Sequence, residues 1–324
     1  MANLQTQFNK FHDTIKIDFD DSQLLRDKRD LIVNNLKSGL ERLFPRCTPT
    51  FEFFNQGSYN LATGVEPLPG DDYDIDVGII FNFSRSDYKP VEVKKWVCHA
   101  LKTGKRTVEI KRPCVRVQYH ENSQKDFHVD LAIYSTERNS WGNEVTYIAK
   151  GLINSSEDKK IWELSDPFKL KELLKSKIAD SSDRDQFRRI IRYLKRWKDC
   201  NFSSVRGRPT GIALTACCYN LFTAEKDDNY GTYTYSYQYN DLRALQMVVN
   251  GIIGMFSWQN QISVKLPVQP YNDLFEKMTD NQIELMKQKL TILQKVLNIA
   301  SQEDNSCNAC TALKQVFGKD FPST

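Results

Sequence analysis

Between Asp21 and Phe44, the apolar residues Leu24, Leu25, Leu31, Ile32, Leu36, Leu40, Leu43 and Phe44 recur at helical spacing with charged residues between them, which predicts a long amphipathic helix. Beyond it the period shortens. Phe51 to Asn55 reads as a short strand. Tyr73 to Phe81 is rich in β-branched and aromatic residues and predicts a strand that begins near Tyr73. Thr107 to Tyr119 and Phe127 to Thr136 predict further strands, with a helix over Val91 to Lys102 among them. Such an order fits an α/β lobe with a mixed sheet. After about Ser165 the pattern turns helical, over Pro167 to Ile178, Arg184 to Asp199, Thr210 to Thr223, Asp241 to Met255 and Asn281 to Ala300. The expected division is therefore residues 1–164 and 165–324, with the polar, tyrosine-rich Glu225 to Asn240 as a connecting loop and no internal repeat.

Composition changes this picture little. With 324 residues, 40% hydrophobic and 27% charged, the chain can bury a substantial core. Its formal charge of +4 is too small to signal a dedicated nucleic-acid binder. The opening Met-Ala-Asn-Leu lacks a basic start followed by an apolar stretch, and no apolar run reaches membrane-spanning length, so a cytoplasmic protein without a membrane partner is expected. In that compartment the eight cysteines stay reduced. Cys307-x-x-Cys310 stands without a second Cys or His pair at zinc spacing, which favours packing or surface thiols over a zinc site.

The chemistry lies in three short segments read in order: Gln56-Gly57-Ser58-Tyr59, Asp74-Ile75-Asp76 and His128-Val129-Asp130-Leu131. On a strand, residues two apart point the same way, so Asp74 and Asp76 share a face. If the two strands neighbour each other, Asp130 joins them. Three converging carboxylates repel unless cations fill the cluster, and hard oxygen ligands suit two Mg²⁺ or Mn²⁺ ions. A pair of such ions activates an attacking hydroxyl and stabilises a leaving pyrophosphate. Gly57 lets the backbone approach a triphosphate, and the Ser58 hydroxyl and nearby amides offer donors to it. Asp71 and Asp72 read as a turn leading into the strand. His128 faces the same side as Asp130 and reads as a packed or hydrogen-bonded histidine rather than a base. Of the charged series Arg188, Arg189, Arg192, Lys195, Arg196 and Lys198, most are expected on a solvated helix face.

These segments together resemble the nucleotidyltransferases of the polymerase-β superfamily. More narrowly they resemble the CD-NTases, bacterial relatives of cyclic GMP-AMP synthase that produce signals in anti-phage CBASS systems. The resemblance extends to Trp162-Glu163-Leu164-Ser165-Asp166-Pro167, Tyr193 to Asp199, Pro209 to Leu214, Pro267 to Asp273 and Phe317 to Pro322, so it covers essentially the whole chain. It implies a polymerase-β-like catalytic lobe and a helical nucleotide-binding lobe, braced by the long N-terminal helix, with nucleotides in a cleft between the lobes. It also implies Asp74, Asp76 and Asp130 as catalytic metal ligands. Gln56, Gly57, Ser58, Arg116, Lys195 and Thr210 are implied as nucleotide-binding residues, with Lys195 on the triphosphate and Arg116 near the acceptor. Gly211 stands where some relatives carry a hydroxyl residue, and Leu61 where some place an aromatic to stack on a base.

The implied activity is synthesis of a cyclic di- or oligonucleotide from ATP, with GTP alongside it, a cyclic GMP-AMP-like product being favoured. A downstream effector would read the product, a regulatory protein would be a further partner, and no nucleic acid is obligatory. Two alternatives stay open. One is an RNA- or tRNA-directed nucleotide-adding enzyme, which calls for a strongly basic surface; the other is a catalytically silent nucleotide-binding scaffold, disfavoured by the intact carboxylates.

Overall fold

The computed structural model describes residues 2–17, 22–103, 106–119, 127–202, 207–229 and 236–324. Along the chain run α1 (Gln5–Ile15), α2 (Gln23–Leu43), β1 (Phe51–Asn55), α3 (Gly57–Asn60), β2 (Tyr73–Phe81) and α4 (Pro90–Leu101). Then come β3 (Arg106–Ile110), β4 (Val115–Tyr119), β5 (Phe127–Arg138), β6 (Glu144–Lys150) and β7 (Ile161–Leu164). The remainder is α5 (Lys169–Lys177), α6 (Ser181–Asn201), α7 (Gly211–Leu221), β8 (Lys226–Asn229), β9 (Ser236–Tyr239), α8 (Asp241–Gly254), α9 (Asp280–Gln302) and α10 (Ser306–Phe317). Two compact units result, one from Asp18–Lys171 with Val268–Pro270, the other from Met1–Ile17, Glu172–Pro267 and Tyr271–Thr324. The chain is thus not divided by a single cut at 164/165.

The first unit is built on a mixed sheet of seven strands among the described residues, in the order β1-β2-β5-β4-β3, with β6 paired to β5 and β7 to β6. Only β2 and β5 run parallel; the other pairs are antiparallel. Alternation sorts the side chains. Ile75, Val77, Ile79 and Phe81 on β2, with Val129, Leu131 and Ile133 on β5 and Val115 and Val117 on β4, are all fully buried. That apolar face supplies the core together with α2 (Ile32, Leu36, Leu40) and α4 (Val93, Val97, Leu101). The two helices approach so closely that a Cβ on Gly39 would sit 2.3 Å from the Ala100 carbonyl oxygen, which is why the crossing needs glycine there. Ser22 caps α2 by accepting from the Leu25 amide at 3.4 Å, and Pro90 opens α4. The expected start of α2 at Asp21 lies outside the described residues.

The second unit is helical and centred on a buried charge. Asp241, fully buried, accepts from Arg189 Nε (2.7 Å) and Nη2 (2.9 Å), from Gln186 Nε2 (3.1 Å) and from the Tyr193 hydroxyl (2.9 Å). Its own amide donates to Gln5 Oε1 at 2.8 Å, so α1, α6 and α8 meet at one residue. Around it Phe8 and Phe11 of α1 pack on Tyr193, Phe317 and Phe321. This aromatic contact is the physical reason that Met1–Ile17 groups with the helical residues rather than with the sheet.

Several expectations change. Arg189, Arg192 and Arg196 do not lie on a solvated face: Arg189 pairs with Asp241, Arg192 contacts His12 at 3.0 Å, and Arg196, 2% exposed, lies 3.2 Å from Asp320. Thr107 to Tyr119 is two strands joined at a turn holding Pro113, closed by the Lys111 amide on the Cys114 carbonyl at 2.9 Å. The expected loop Glu225 to Asn240 carries the β8–β9 hairpin, with residues 230–235 outside the described residues. Its polar strands are held by Lys226 over the rings of Tyr237 (4.5 Å) and Tyr239 (5.1 Å), contacts that hydrophobic periodicity does not register.

Candidate active site

Opposite the apolar face of the sheet, β2 presents Asp74 and Asp76. Parallel pairing sets Asp76 level with Asp130 and Asp74 level with His128, and the antiparallel β4 sets Arg116 level with Asp130 on the other side. The sheet therefore lays Asp76, Asp130 and Arg116 in one row across three strands. One carboxylate oxygen from each of Asp74, Asp76 and Asp130 falls within 4.8 Å of the others.

Arg116 grips Asp130 with both arms of its guanidinium, Nε to Oδ1 at 2.7 Å and Nη2 to Oδ2 at 2.6 Å, while Nη2 lies 3.8 Å from Asp74 Oδ1. Those hydrogen bonds hold the guanidinium charged even more firmly than usual. Partial shielding by the surrounding protein, and then the neighbouring Asp130 charge, push the Asp74 carboxyl above the ordinary carboxylate range, against the opposing pull of Arg116 and His128, although the side chain itself is 57% exposed and the shielding is therefore the weaker support. Three carboxylates against one guanidinium leave the cluster negative. An all-oxygen, hard donor set of this kind fits Mg²⁺ or Mn²⁺.

Gly57 and Gln56 join the cluster through backbone. The Gln56 amide donates to the Asp76 carbonyl at 3.0 Å, and Gly57 follows with φ +61, its missing Cβ leaving room for Asp76 Oδ2. Gln56 Nε2 donates to the Tyr134 hydroxyl at 2.7 Å, so this side chain anchors the turn to β5. Ser58, half-buried, lies in the single turn of α3, its carbonyl taking the Thr63 amide at 2.8 Å. Sequence reasoning missed Tyr59, whose phenol is pushed up by burial and then by the charges of Asp76 and Asp74. It also missed the partner of His128, whose Nε2 lies 3.2 Å from Asp72 Oδ2. Both residues flank quoted motifs, but only three-dimensional pairing reveals what they face.

Lys195 and Thr210 belong to the helical unit. Thr210 caps α7, its hydroxyl accepting from the Ala213 amide at 3.2 Å. Lys195 of α6 lies against the same helix start, since a Cβ on Gly211 would be 3.3 Å from its Cε and 3.8 Å from its Nζ. An ammonium beside the amide end of an eleven-residue helix concentrates positive charge there. Trp197, two residues on, is fully buried against Phe202.

Residues 51–134, which span β1 to β5 and so contain Gly57, Ser58 and all three aspartates, match the family described as "Cyclic GMP-AMP synthase DncV-like, nucleotidyltransferase domain". Over that segment the chain is similar to a DncV-like nucleotidyltransferase domain. Solved structures of Vibrio cholerae DncV share the fold well beyond that segment. DncV cyclic AMP-GMP synthase, a prokaryotic cGAS homologue, matches at a TM-score of 0.76 and 16% identity, over 99% of this chain and 98% of its own. The same enzyme with the linear intermediate 5′ pppA(3′,5′)pG matches at 0.74 and 16% identity, over 98% and 96%. Its complex with GTP and 5MTHFGLU2 matches at 0.75 and 16%, again over 98% and 96%. At that identity the wider likeness is one of fold, whereas the match over residues 51–134 is to a nucleotidyltransferase domain. No helix among the described residues is long and apolar enough to cross a membrane.

Proposed function

We propose that this DncV-like nucleotidyltransferase joins ATP and GTP into a cyclic di- or oligonucleotide, a cyclic GMP-AMP-like product being favoured. The observation that carries the reading is the meeting of Asp74, Asp76 and Asp130 within 4.8 Å beside the Gly57 turn. Asp74, Asp76 and Asp130 would hold two Mg²⁺ or Mn²⁺ ions, which when bound lower the cost of ionising a ribose hydroxyl and of releasing pyrophosphate. Gly57 and Ser58, with Gln56 anchoring them, seat the triphosphate beside Asp76. The acceptor hydroxyl sits beside Asp130, gives up its proton to solvent and attacks the α-phosphorus: a new O–P bond forms, the bond to the β-phosphate oxygen breaks, and pyrophosphate leaves with its electron pair. Arg116, held beside Asp130 by its two hydrogen bonds, would be the guanidinium available to the acceptor nucleotide once Asp130 served a cation. Lys195 and the Thr210 helix start supply positive charge for triphosphate oxygens. A second round on the linear product closes the ring.

The biological setting in this reading is anti-phage CBASS signalling in the cytoplasm, with an effector that responds to the cyclic product and a regulatory protein as a further partner. No polynucleotide is needed. The test is to incubate pure protein with labelled ATP and GTP and Mg²⁺ or Mn²⁺, with and without RNA, then treat with phosphatase and analyse by mass spectrometry. A cyclic product has no terminal phosphate and survives. Labelled tails on RNA with no cyclic species would replace the reading by a nucleotide-adding enzyme, and absence of any joined product by a silent scaffold.

A further inference from the structure

Behind the carboxylate row, the same face of the sheet turns aromatic. Gly78 lies two residues beyond Asp76 on β2 and level with Phe54 of β1, and Tyr134 lies four beyond Asp130 on β5, so all share that face. Gly78 makes the room: a Cβ on it would sit 2.1 Å from Phe54 Cζ, so the Phe54 ring lies over bare backbone. That ring meets Tyr134 with centroids 6.0 Å apart and Phe168 at 4.5 Å. Phe54 precedes Gln56 by two residues, so this wall and the Gly57 turn are one continuous stretch of chain.

Tyr134, buried in this wall, carries a hydroxyl that the packing alone does not require. Its oxygen accepts from Gln56 Nε2 at 2.7 Å, and the phenol is also hydrogen-bonded to the Ser165 side chain. Ser165 is fixed in turn, its amide donating to the Thr146 carbonyl at 3.0 Å and its carbonyl accepting from the Thr146 hydroxyl. At the other end, Gln56 Oε1 is buried and takes no hydrogen bond among the described residues. The Gln56 carboxamide is therefore oriented by the phenol. Its backbone amide donates to the Asp76 carbonyl at 3.0 Å, and Gly57 follows with no space for a Cβ beside the Asp76 carboxylate. A shift of Gln56 passes directly to the turn and to that carboxylate.

We propose that Tyr134 is a positioning residue: its hydroxyl, braced by Ser165, holds Gln56 and so sets the Gly57–Ser58 turn against Asp76 for seating a triphosphate. The inference rests on the nucleotidyl-transfer reading above. Tyr134 touches no substrate in this assignment and acts through Gln56. Ring and hydroxyl divide the work, since the ring packs on Phe54 while the hydroxyl orients the carboxamide. Tyr134→Phe separates the two, because it keeps the ring and removes one oxygen.

The experiment is a double-mutant cycle between Tyr134→Phe and Gln56→Leu, read by pyrophosphate release from ATP and GTP with Mg²⁺. In the wild-type background Tyr134→Phe should lower kcat/KM about 10-fold. In the Gln56→Leu background the same change should cost less than about twofold, because the residue it acts through is gone. A second readout needs no turnover: the Kd of an α,β-methylene triphosphate, which cannot release pyrophosphate, should follow the same pattern. Gln56→Met takes the place of Gln56→Leu should that variant lose its cooperative melting. A role confined to folding would lower the Tm and leave kcat/KM and Kd unchanged in protein that stays folded. That result, or equal losses in the two backgrounds, overturns the assignment. A wild-type protein that binds the analogue but releases no pyrophosphate from any triphosphate overturns the parent reading instead, and the Kd cycle then decides the role of Tyr134. One that does neither overturns both.

Discussion

A Cβ placed on Gly57 would come within 2.0 Å of Asp76 Oδ2 and 2.8 Å of its Cγ, so the turn and the carboxylate occupy adjoining space with nothing to spare. The backbone there is also left-handed, at φ +61, where an L side chain costs about 1–2 kcal/mol. Gly57→Ala should therefore displace Asp76. We expect turnover to fall at least about 100-fold, as a misplaced reacting geometry predicts, while the melting transition stays cooperative. Wild-type turnover in Gly57→Ala would remove the turn from the site.

Asp74→Ala or Asp76→Ala should abolish nucleotide joining and leave the fold intact, since each removes an oxygen ligand and at the same time relieves repulsion within the cluster. Thermal stability in metal-free buffer should hold or rise. A readout apart from activity is the rise of the wild-type Tm with Mg²⁺ or Mn²⁺, expected to vanish in the double variant. A folded double variant with wild-type product yield would defeat the two-metal assignment.

For Lys195→Ala we expect an NTP KM raised about 10-fold with stability nearly unchanged, because the lost charge acts on phosphate while Ile191, Leu194 and Trp197 keep α6 packed. Steady-state kinetics over a range of NTP concentrations separates this from a packing role. Unaltered KM and kcat would assign Lys195 to support of the α7 start, where it lies against Gly211.

How far the sequence led depended on the kind of interaction involved. The Tyr73 to Phe81 and Phe127 to Arg138 strands were legible because alternation is written in the residues themselves, and the convergence of three aspartates followed once those strands were neighbours. Long helices such as α6 and α9 were legible by period, and their caps, Asp180 and the Thr279–Gln282 capping box, fix their starts. What was not legible depends on partners far along the chain. Arg189 and Arg196 look like a solvated face until Asp241 and Asp320 are brought to them from 52 residues away and from the C-terminal segment. Likewise α1 is short and polar on average, and its place becomes clear only from Phe8 and Phe11 against Phe317 and Phe321. In the site itself, the grip of Arg116 on Asp130 follows from register, which no motif spells out.

His12 gives the helical unit a stability that depends on pH. Its Nε2 lies 3.0 Å from Arg192 Nη1, and a guanidinium only donates, so the imidazole must accept there and hold no proton on that nitrogen. Burial first, and Arg192 next, bring its pKa down to about 4. The unfolded chain titrates near 6.5. Between those values the unfolded state binds the proton and the folded state does not, so stability falls as pH drops from about 6.5 to about 4 and is unaffected by this group above 6.5. The loss attributable to His12 is at most about 3.5 kcal/mol. His12→Gln keeps an acceptor for Arg192 but cannot titrate, and it should flatten that part of the curve. Urea midpoints measured from pH 7 down to pH 4 decide the matter, and an equal acid loss in both proteins would place the pH dependence elsewhere.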